Sequence, residues 1–331
     1  MIKLIKKENE IDISLPFFAQ EKYLETKSPN YGWFVSENFI LPFVLFTTYI
    51  FKRIVFTTEP INKHNSSIEE EIAFLNNMQD YIKKNNICDF IHKPQPSAIF
   101  RAYPKNANAF RWGTFQLPID SDFDNMLVKV SSSQRKYVRH AIRDNVTITK
   151  TDDYEEVYNL CNETLSRQKI QLLIDKEEFT HQYKNLHPKN MIMFKATYEN
   201  EVQGVIVIFF DDNTAFAEYA GSIPRPTNGS LKLLHLYAMQ YLAQNHNLTN
   251  FDFLGAVPDI IEDAKESGIQ KFKKEFGAEI KEGYQFTVIF KPIKYFLFNF
   301  TLKMHLLSKG VKYVDPVERD RRLSKSRLKV W

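Results

Sequence analysis

The chain contains no Walker loop, no G-x-G-x-x-G, no G-x-S-x-G elbow and no H-E-x-x-H. Nucleotide hydrolysis on a P-loop, Rossmann redox chemistry, serine hydrolysis at a nucleophile elbow and helical zinc catalysis therefore have no sequence support. Cysteine is scarce. Cys88 and Cys161 lie far apart with no metal-ligand spacing, which suits reduced thiols in the cytoplasm. The charged first residues lack the apolar core and small-residue cleavage site of a leader peptide. The apolar run Asn38 to Phe51 is too short to cross a bilayer and carries Pro42, so two buried strands joined at a bend are expected there. Net charge is +4 with an isoelectric point near 8.7, too small an excess to imply a nucleic-acid partner by itself.

What is present reads as globular. The 331 residues exceed most single domains, and 44% hydrophobic with 25% charged residues is the balance of a packed protein. Twenty-eight phenylalanines and 16 tyrosines predict an aromatic core. Residues 39 to 58 have strand composition. Ser67 caps a helix with Glu70 three residues on, carrying Ile72, Leu75, Met78 and Ile82 at helical spacing. Short strands are expected at 88 to 92, 98 to 103 and 113 to 119.

The stretch 131 to 148 predicts a basic helix, with Arg135, Arg139 and Arg143 on one face, Lys136 and His140 beside them, and Tyr137, Val138, Ala141 and Ile142 opposite. Beyond it, helices at about 154 to 169 and 176 to 186 lead to three strands, "MIMFKATYE", "EVQGVIVIFFD" and "TAFAEYAGSI". The loop "PRPTNGS" then opens a helix that is apolar on most sides, followed by "FDFLG", a helix around "IQKFKKEFG" and the strand "YQFTVIF". The expected organisation is a first domain over 1–130, a second over 131–290 with the basic helix as a bridge, and a segment 291–331. In that last segment an aromatic helix precedes a basic tail, read either as a docked helix with a solvated end or as an interfacial helix on anionic lipid.

The order of strand, loop and helix in the second half resembles the GNAT acyltransferases, and three segments sharpen the likeness. "SSSQRKYVRHAIRDNVTI" (131 to 148), "TLSRQKI" (164 to 170) and "FDFLG" with "GIQKFKKEFG" together resemble the Fem family of peptidyltransferase-like proteins. The resemblance implies two tandem GNAT-like domains of α/β class, each a mixed, mostly antiparallel sheet flanked by helices. It also implies transfer of an acyl group from coenzyme A, or of an aminoacyl group from tRNA, to an amine of a cell-envelope precursor. The balanced global charge favours acyl-CoA as the donor, with a cell-envelope or sugar precursor as acceptor and no metal expected; the alternative is aminoacyl-tRNA with a peptidoglycan precursor.

Carried over by position, Lys273 stands at the donor's reactive end with Phe272 beside it, an ammonium suited to an oxyanion. Asp252 either orients the attacking amine or caps a neighbouring loop, and strand alternation turns it toward a cleft or water. Tyr219, Arg225, Asn228, Gly229, Ser230 and Gly255 are expected on the donor side, where a helix N-terminus favours phosphate. Arg135, Arg139, Arg143, Arg167 and Gln168 are expected to take anions or the acceptor. Two features depart from the pattern: the loop has Gly229 alone where acyl-CoA loops usually have a second glycine, and no long helical arm is present. The acceptor is expected to be a small or lipid-linked amine, with tRNA as a partner under the alternative. A site at the inner face of the membrane would follow if residues 292 to 331 dock on lipid. A GNAT-like module that binds without catalysis is the competing reading, against which Lys273, Asp252 and Gly255 stand together. His235, inside the apolar helix, reads as a satisfied buried group.

Overall fold

The computed structural model describes residues 2–168, 174–262, 265–311 and 313–324. The end of the expected helix at Lys169, the close of "TLSRQKI" and the last residues of the basic tail lie outside the described residues. The first part of the chain holds β1 (Lys3–Ile5), α1 (Glu21–Lys27), β2 (Tyr31–Val35), β3 (Phe39–Thr48), β4 (Phe51–Phe56), β5 (Ile61–Asn62), α2 (Ile68–Lys84) and β6 (Phe90–Ile91). Next come β7 (Asn108–Pro118), α3 (Phe123–Lys129), α4 (Ser132–Arg143), β8 (Thr147–Lys150), α5 (Tyr154–Arg167), α6 (Lys176–Leu186), β9 (Met191–Tyr198), β10 (Glu201–Phe210) and β11 (Thr214–Ser222). The chain continues through α7 (Ser230–His246), β12 (Asn250–Asp252), α8 (Lys265–Lys274), β13 (Glu279–Ile289), α9 (Pro292–Ser308) and α10 (Pro316–Leu323).

Contacts divide the chain into two compact units. One comprises residues 1–114, 255–264 and 281–331, the other residues 115–254 and 265–280. Within the first, strands run in the order β1-β2-β3-β4-β6-β13 with β5 on β3, antiparallel except for the parallel pair β4/β6. Within the second, the end of β7 is followed by β12-β11-β10-β9-β8, antiparallel except for the parallel pair β11/β12. Each unit thus repeats one motif: an antiparallel hairpin, a 17-residue helix (α2 or α7) and a strand returning parallel to the hairpin's second strand.

These divisions differ from the expected 1–130 and 131–290. The first unit takes in β13 from Lys281 onward, because Val288 and Ile289 pair with Ile91 and Phe90, a long-range pairing that no local pattern encodes. Helix α4, expected as the bridge, lies wholly in the second unit. It buries Val138 and Ala141, whereas Ile142 is 45% exposed.

Local chemistry explains most elements. Ser67 and Glu70 form a capping box at α2, which buries Phe74, Leu75, Met78 and Ile82 against Phe39, Phe43 and Phe56 of the sheet. The turn Glu199-Asn200 has φ of +49° and +65°, the left-handed pair that joins twisted strands tightly.

Three expectations fail locally. Pro42 does not bend the chain: β3 runs straight through it, paired to Trp33. On the strand's other side β5 covers Phe39 and Ile40 and β4 begins at Phe43, so the missing N–H falls in the gap between two partners. Residues 98 to 103 form no strand, only a bridge from Phe100 to Tyr284. The described end of the tail is docked rather than solvated, since Val317 and Asp320 are buried and Asp320 pairs with Lys93.

Candidate acyl-transfer site

Strands β11 and β12 pair over three residues, Thr214 to Asn250, Ala215 to Phe251 and Phe216 to Asp252, and then part. Past Asp252 the chain follows β7, where the Phe253 N–H donates to the Phe115 carbonyl at 2.9 Å. Strand β11 instead continues along β10 to Ser222. The parting is built into β11 by a bulge: Tyr219 faces Val207 and Ala217 faces Ile208, leaving Glu218 as the extra residue. A bulge bends its strand and increases local twist.

The space so opened is a cavity of about 390 Å³, walled by Ala220 and Gly221 of β11, Phe253, His235 of α7, and Phe272 and Lys273 of α8. The Ile223 N–H bonds to the Gln203 carbonyl on β10. Antiparallel alternation therefore turns the polar backbone groups of Ser222 and Ala220 away from β10. Those of Ser222 are taken up by α5: its N–H donates to the Thr164 hydroxyl at 2.9 Å, and its carbonyl accepts from Thr164 at 3.0 Å and Arg167 at 2.5 Å. Ala220 is exposed on the cavity wall.

The matching place in the first unit is closed. There the chain after β6 keeps pairing with β4, through the His92 N–H to the Ile54 carbonyl at 2.8 Å and the Gln95 N–H to the Phe56 carbonyl at 3.0 Å. The N-terminus of α2 is capped by Ser67 and carries Glu69, Glu70 and Glu71 in its first turn, whereas α7 has neither an acid in its first turn nor a side-chain cap. Negative charge there disfavours an anion at α2, and its absence leaves α7 suited to one.

Lys273 is 9% exposed and donates to the Leu254 carbonyl. Burial pushes its pKa down to about 8, against a smaller opposing pull from the charge of Asp252. Asp252 is 4% exposed and does not face water. It accepts from the Gln116 amide at 2.7 Å and from the Leu254 N–H at 2.7 Å, so it does cap the loop that follows it. That loop is tight: Leu254 and Gly255 have φ of +48° and +62°. Phe272 makes an edge contact with the His235 ring at 5.2 Å, and the Lys232 ammonium lies 4.6 Å from its centroid. Phe276 and Gly277 finish α8 as expected, the one buried and the other at φ +79°.

His235 is buried and bonded, as its place in the apolar helix led one to expect, but it also lines the cavity, which that reading did not include. Its Nδ1 lies 2.7 Å from the Leu231 carbonyl of its own helix, an arrangement that fixes the proton on Nδ1 and makes Nε2 the acceptor. Burial holds its pKa down at about 4, so the ring is neutral near pH 7. Its position on the cavity depends on the packing of α7 against α8, and no spacing in the sequence reveals it.

Of the expected residues, the cavity wall includes Lys273, Phe272 and Gln168. Tyr219 donates to the Gln182 side chain at 3.3 Å and packs on Phe179. Arg225 and Asn228 are exposed in the loop before α7. Gly229 adopts φ +84°, and a Cβ there would stand 2.0 Å from the Tyr137 carbonyl oxygen of α4. Ser230 turns its hydroxyl to the Thr227 carbonyl at 2.6 Å. Arg139 and Arg143 are exposed on α4, and Arg135 is half-buried. Both cysteines are buried, and burial pushes their thiols up to about 12. Among the described residues no three His, Cys, Asp or Glu side chains cluster as metal ligands.

Residues 175–303 match the FemAB family model. No curated protein matches the sequence. Among solved structures, the crystal structure of FemX is similar at 16% identity and a TM-score of 0.63, over 85% of this chain and 94% of that one. A tandem GNAT protein from the clavulanic acid biosynthesis pathway is similar at 9% identity and a TM-score of 0.51, over 88% of this chain and 99% of that one. A conserved protein of unknown function from Bacteroides thetaiotaomicron VPI-5482 is similar at 9% identity and a TM-score of 0.54, over 81% of this chain and 89% of that one. The fold is the tandem GNAT arrangement, and residues 175–303 carry the FemAB family pattern, which points to a transferase of acyl or aminoacyl groups.

Proposed function

We propose that the chain transfers an acyl group from an activated thioester to an amine of a cell-envelope or sugar precursor. The observation that carries this reading is the ammonium of Lys273 on the wall of a cavity opened by the parting of β11 and β12. The cavity seats the carbonyl, and the Ala220 edge of β11 offers backbone groups to the donor's arm. As the amine attacks, negative charge grows on the carbonyl oxygen, and a nearby ammonium in a low-dielectric wall stabilises it more than water does. In this reading His235, which lines the same cavity with Nε2 left as acceptor, takes the amine's proton as the C–N bond forms. The tetrahedral intermediate then collapses with cleavage of the C–S bond, and the thiolate leaves as the thiol after taking up that proton. Asp252 holds the Leu254 turn, and with it the carbonyl that anchors Lys273.

The donor in this reading is acyl-CoA. A specific observation favours aminoacyl-tRNA as a second reading: Gly229 is pressed against the α4 backbone, so the N-terminus of α7 lacks the open glycine cradle of a pyrophosphate site. Helix α4 presents Lys136, Arg139 and Arg143 as exposed cations. Titration of the protein with coenzyme A and with charged tRNA separates the two. Under the first reading coenzyme A binds saturably with little salt dependence. Under the second charged tRNA binds and weakens steeply as salt rises, because binding releases counterions. Binding of neither, with no acyl transfer, would leave a GNAT-like module without catalysis.

A further inference from the structure

Helix α9 has two apolar faces. One packs inward: Phe298 and Leu302 lie against Phe51 and Phe90 of the first unit, and Leu306 is buried. The other is open, with Ile293 78%, Phe296 68%, Leu297 41%, Phe300 52%, Met304 50% and Leu307 59% exposed. At about 100° per residue these six fall within an arc of about 100° opposite the packed face. An amphipathic surface helix has its apolar stripe covered; here a second stripe remains.

The stripe does not end with the helix. The Lys294 ammonium donates to the Ile50 carbonyl at 3.0 Å, which places the turn between β3 and β4 beside the start of α9. The tip of that turn is Tyr49, 93% exposed at φ +53°, and Ile50, 63% exposed. Charge identifies the occupant. From Lys291 to Val311 the sequence has Lys291, Lys294, Lys303 and Lys309 and no acid. Lys291 and Lys294 are paired with the buried Asp89, whereas Lys303 and Lys309 are exposed at the stripe's flank and end. A second copy docking by the same face would bring like charges together. An anionic bilayer meets them with the opposite sign, takes the apolar stripe into its acyl boundary and accommodates a tyrosine at headgroup depth. Among the described residues no helix is long and apolar enough to cross a membrane, so the contact would be peripheral.

We infer that α9 and the Tyr49-Ile50 turn form one surface that docks the protein on a membrane rich in anionic phospholipid. The inference stands on exposure and charge in the first unit and does not depend on the transferase reading. It is tested with the full chain by flotation on phosphatidylglycerol-containing vesicles and on pure phosphatidylcholine vesicles. The wild type is expected to float with the anionic vesicles, to float less as salt rises, and to stay behind with the neutral ones. The double variant Phe296→Glu/Phe300→Glu should bind the anionic vesicles more weakly by about tenfold or more, with an unchanged thermal midpoint because both side chains are exposed. Lys303→Glu/Lys309→Glu should also weaken binding and flatten the salt dependence. Absence of flotation with either vesicle, or equal flotation with both, overturns the inference. So does a concentration-dependent dimer in sedimentation without lipid that the Phe296→Glu/Phe300→Glu variant abolishes, since the face would then belong to a second copy.

Discussion

Lys273→Met should lower acyl transfer by about a hundredfold to a thousandfold while leaving the protein as stable as the wild type near pH 7, or more so. Methionine keeps the unbranched stem and removes the charge. The activity loss follows from the position of the ammonium on the wall of an otherwise largely apolar cavity. The stability effect follows from its pKa, which burial lowers from the usual 10.5 to about 8. A depressed lysine pKa means that below about pH 8 both folded and unfolded chains carry the proton, and the folded state bears the full penalty of burying it. Between about pH 8 and 10.5 the unfolded chain alone holds this proton, so the contribution of Lys273 to stability rises with pH across that window. The shift corresponds to roughly 3 kcal/mol, a penalty the methionine variant lacks. The stability of the wild type relative to the variant should therefore climb from pH 8 to 10 in chemical denaturation, because the buried thiols of Cys88 and Cys161 and every other titrating group are common to both proteins. Acyl transfer by the wild type should fall as pH rises through about 8, where the ammonium is lost. A variant that turns over at the wild-type rate would remove Lys273 from the mechanism. An equal pH dependence of stability in both proteins would remove the buried charge from the energetics.

Much of the second unit was legible because its elements announce themselves locally. Strands β9 and β10 read as apolar runs around a Glu-Asn turn, and α7 is apolar around most of its circumference, as a buried helix must be. The pairing of β13 with β6 and the return of residues 255–264 to the first unit were not legible, because both join segments far apart in sequence. The site divides in the same way. Lys273 and Phe272 sit on one turn of one helix, so a motif could carry them, and the cavity includes both. Asp252 alternates with Phe251 and Phe253 as expected, yet its partner Gln116 lies 136 residues away and takes it out of water. The arginine stripe had the right spacing for one helical face, but spacing does not say which neighbour the face meets. Among the described residues, the cavity wall includes none of Arg135, Arg139 and Arg143. His235 was hidden for the opposite reason: a lone histidine in an apolar helix looks the same whether its far nitrogen meets a cavity or the core.

Gly229→Ala should destabilise the second unit by about 3 kcal/mol, the largest stability loss expected from removing any single glycine there. Two effects add. The residue sits at φ +84°, the left-handed region, where a Cβ costs about 1 kcal/mol. That Cβ would also lie 2.0 Å from the Tyr137 carbonyl oxygen and 2.5 Å from its carbon. Both are backbone atoms in the middle of α4, so no rotamer relieves the clash and α4 must move off α7. Gly268 is the internal control: it lies in α8 with nothing within 4 Å of its hypothetical Cβ, and Gly268→Ala should be neutral or slightly stabilising, since alanine favours helix. The comparison bears on function as well as folding. A donor-binding role for Gly229 requires open space in front of it, whereas the close approach to α4 makes it a packing residue. A Gly229→Ala variant that keeps its thermal midpoint and loses only donor affinity would reverse that assignment. One that unfolds several degrees earlier, with the loss traced by hydrogen exchange to α4 and the first turn of α7, would place the glycine where the geometry puts it, as the contact that lets the basic helix lie against the helix beside the cavity.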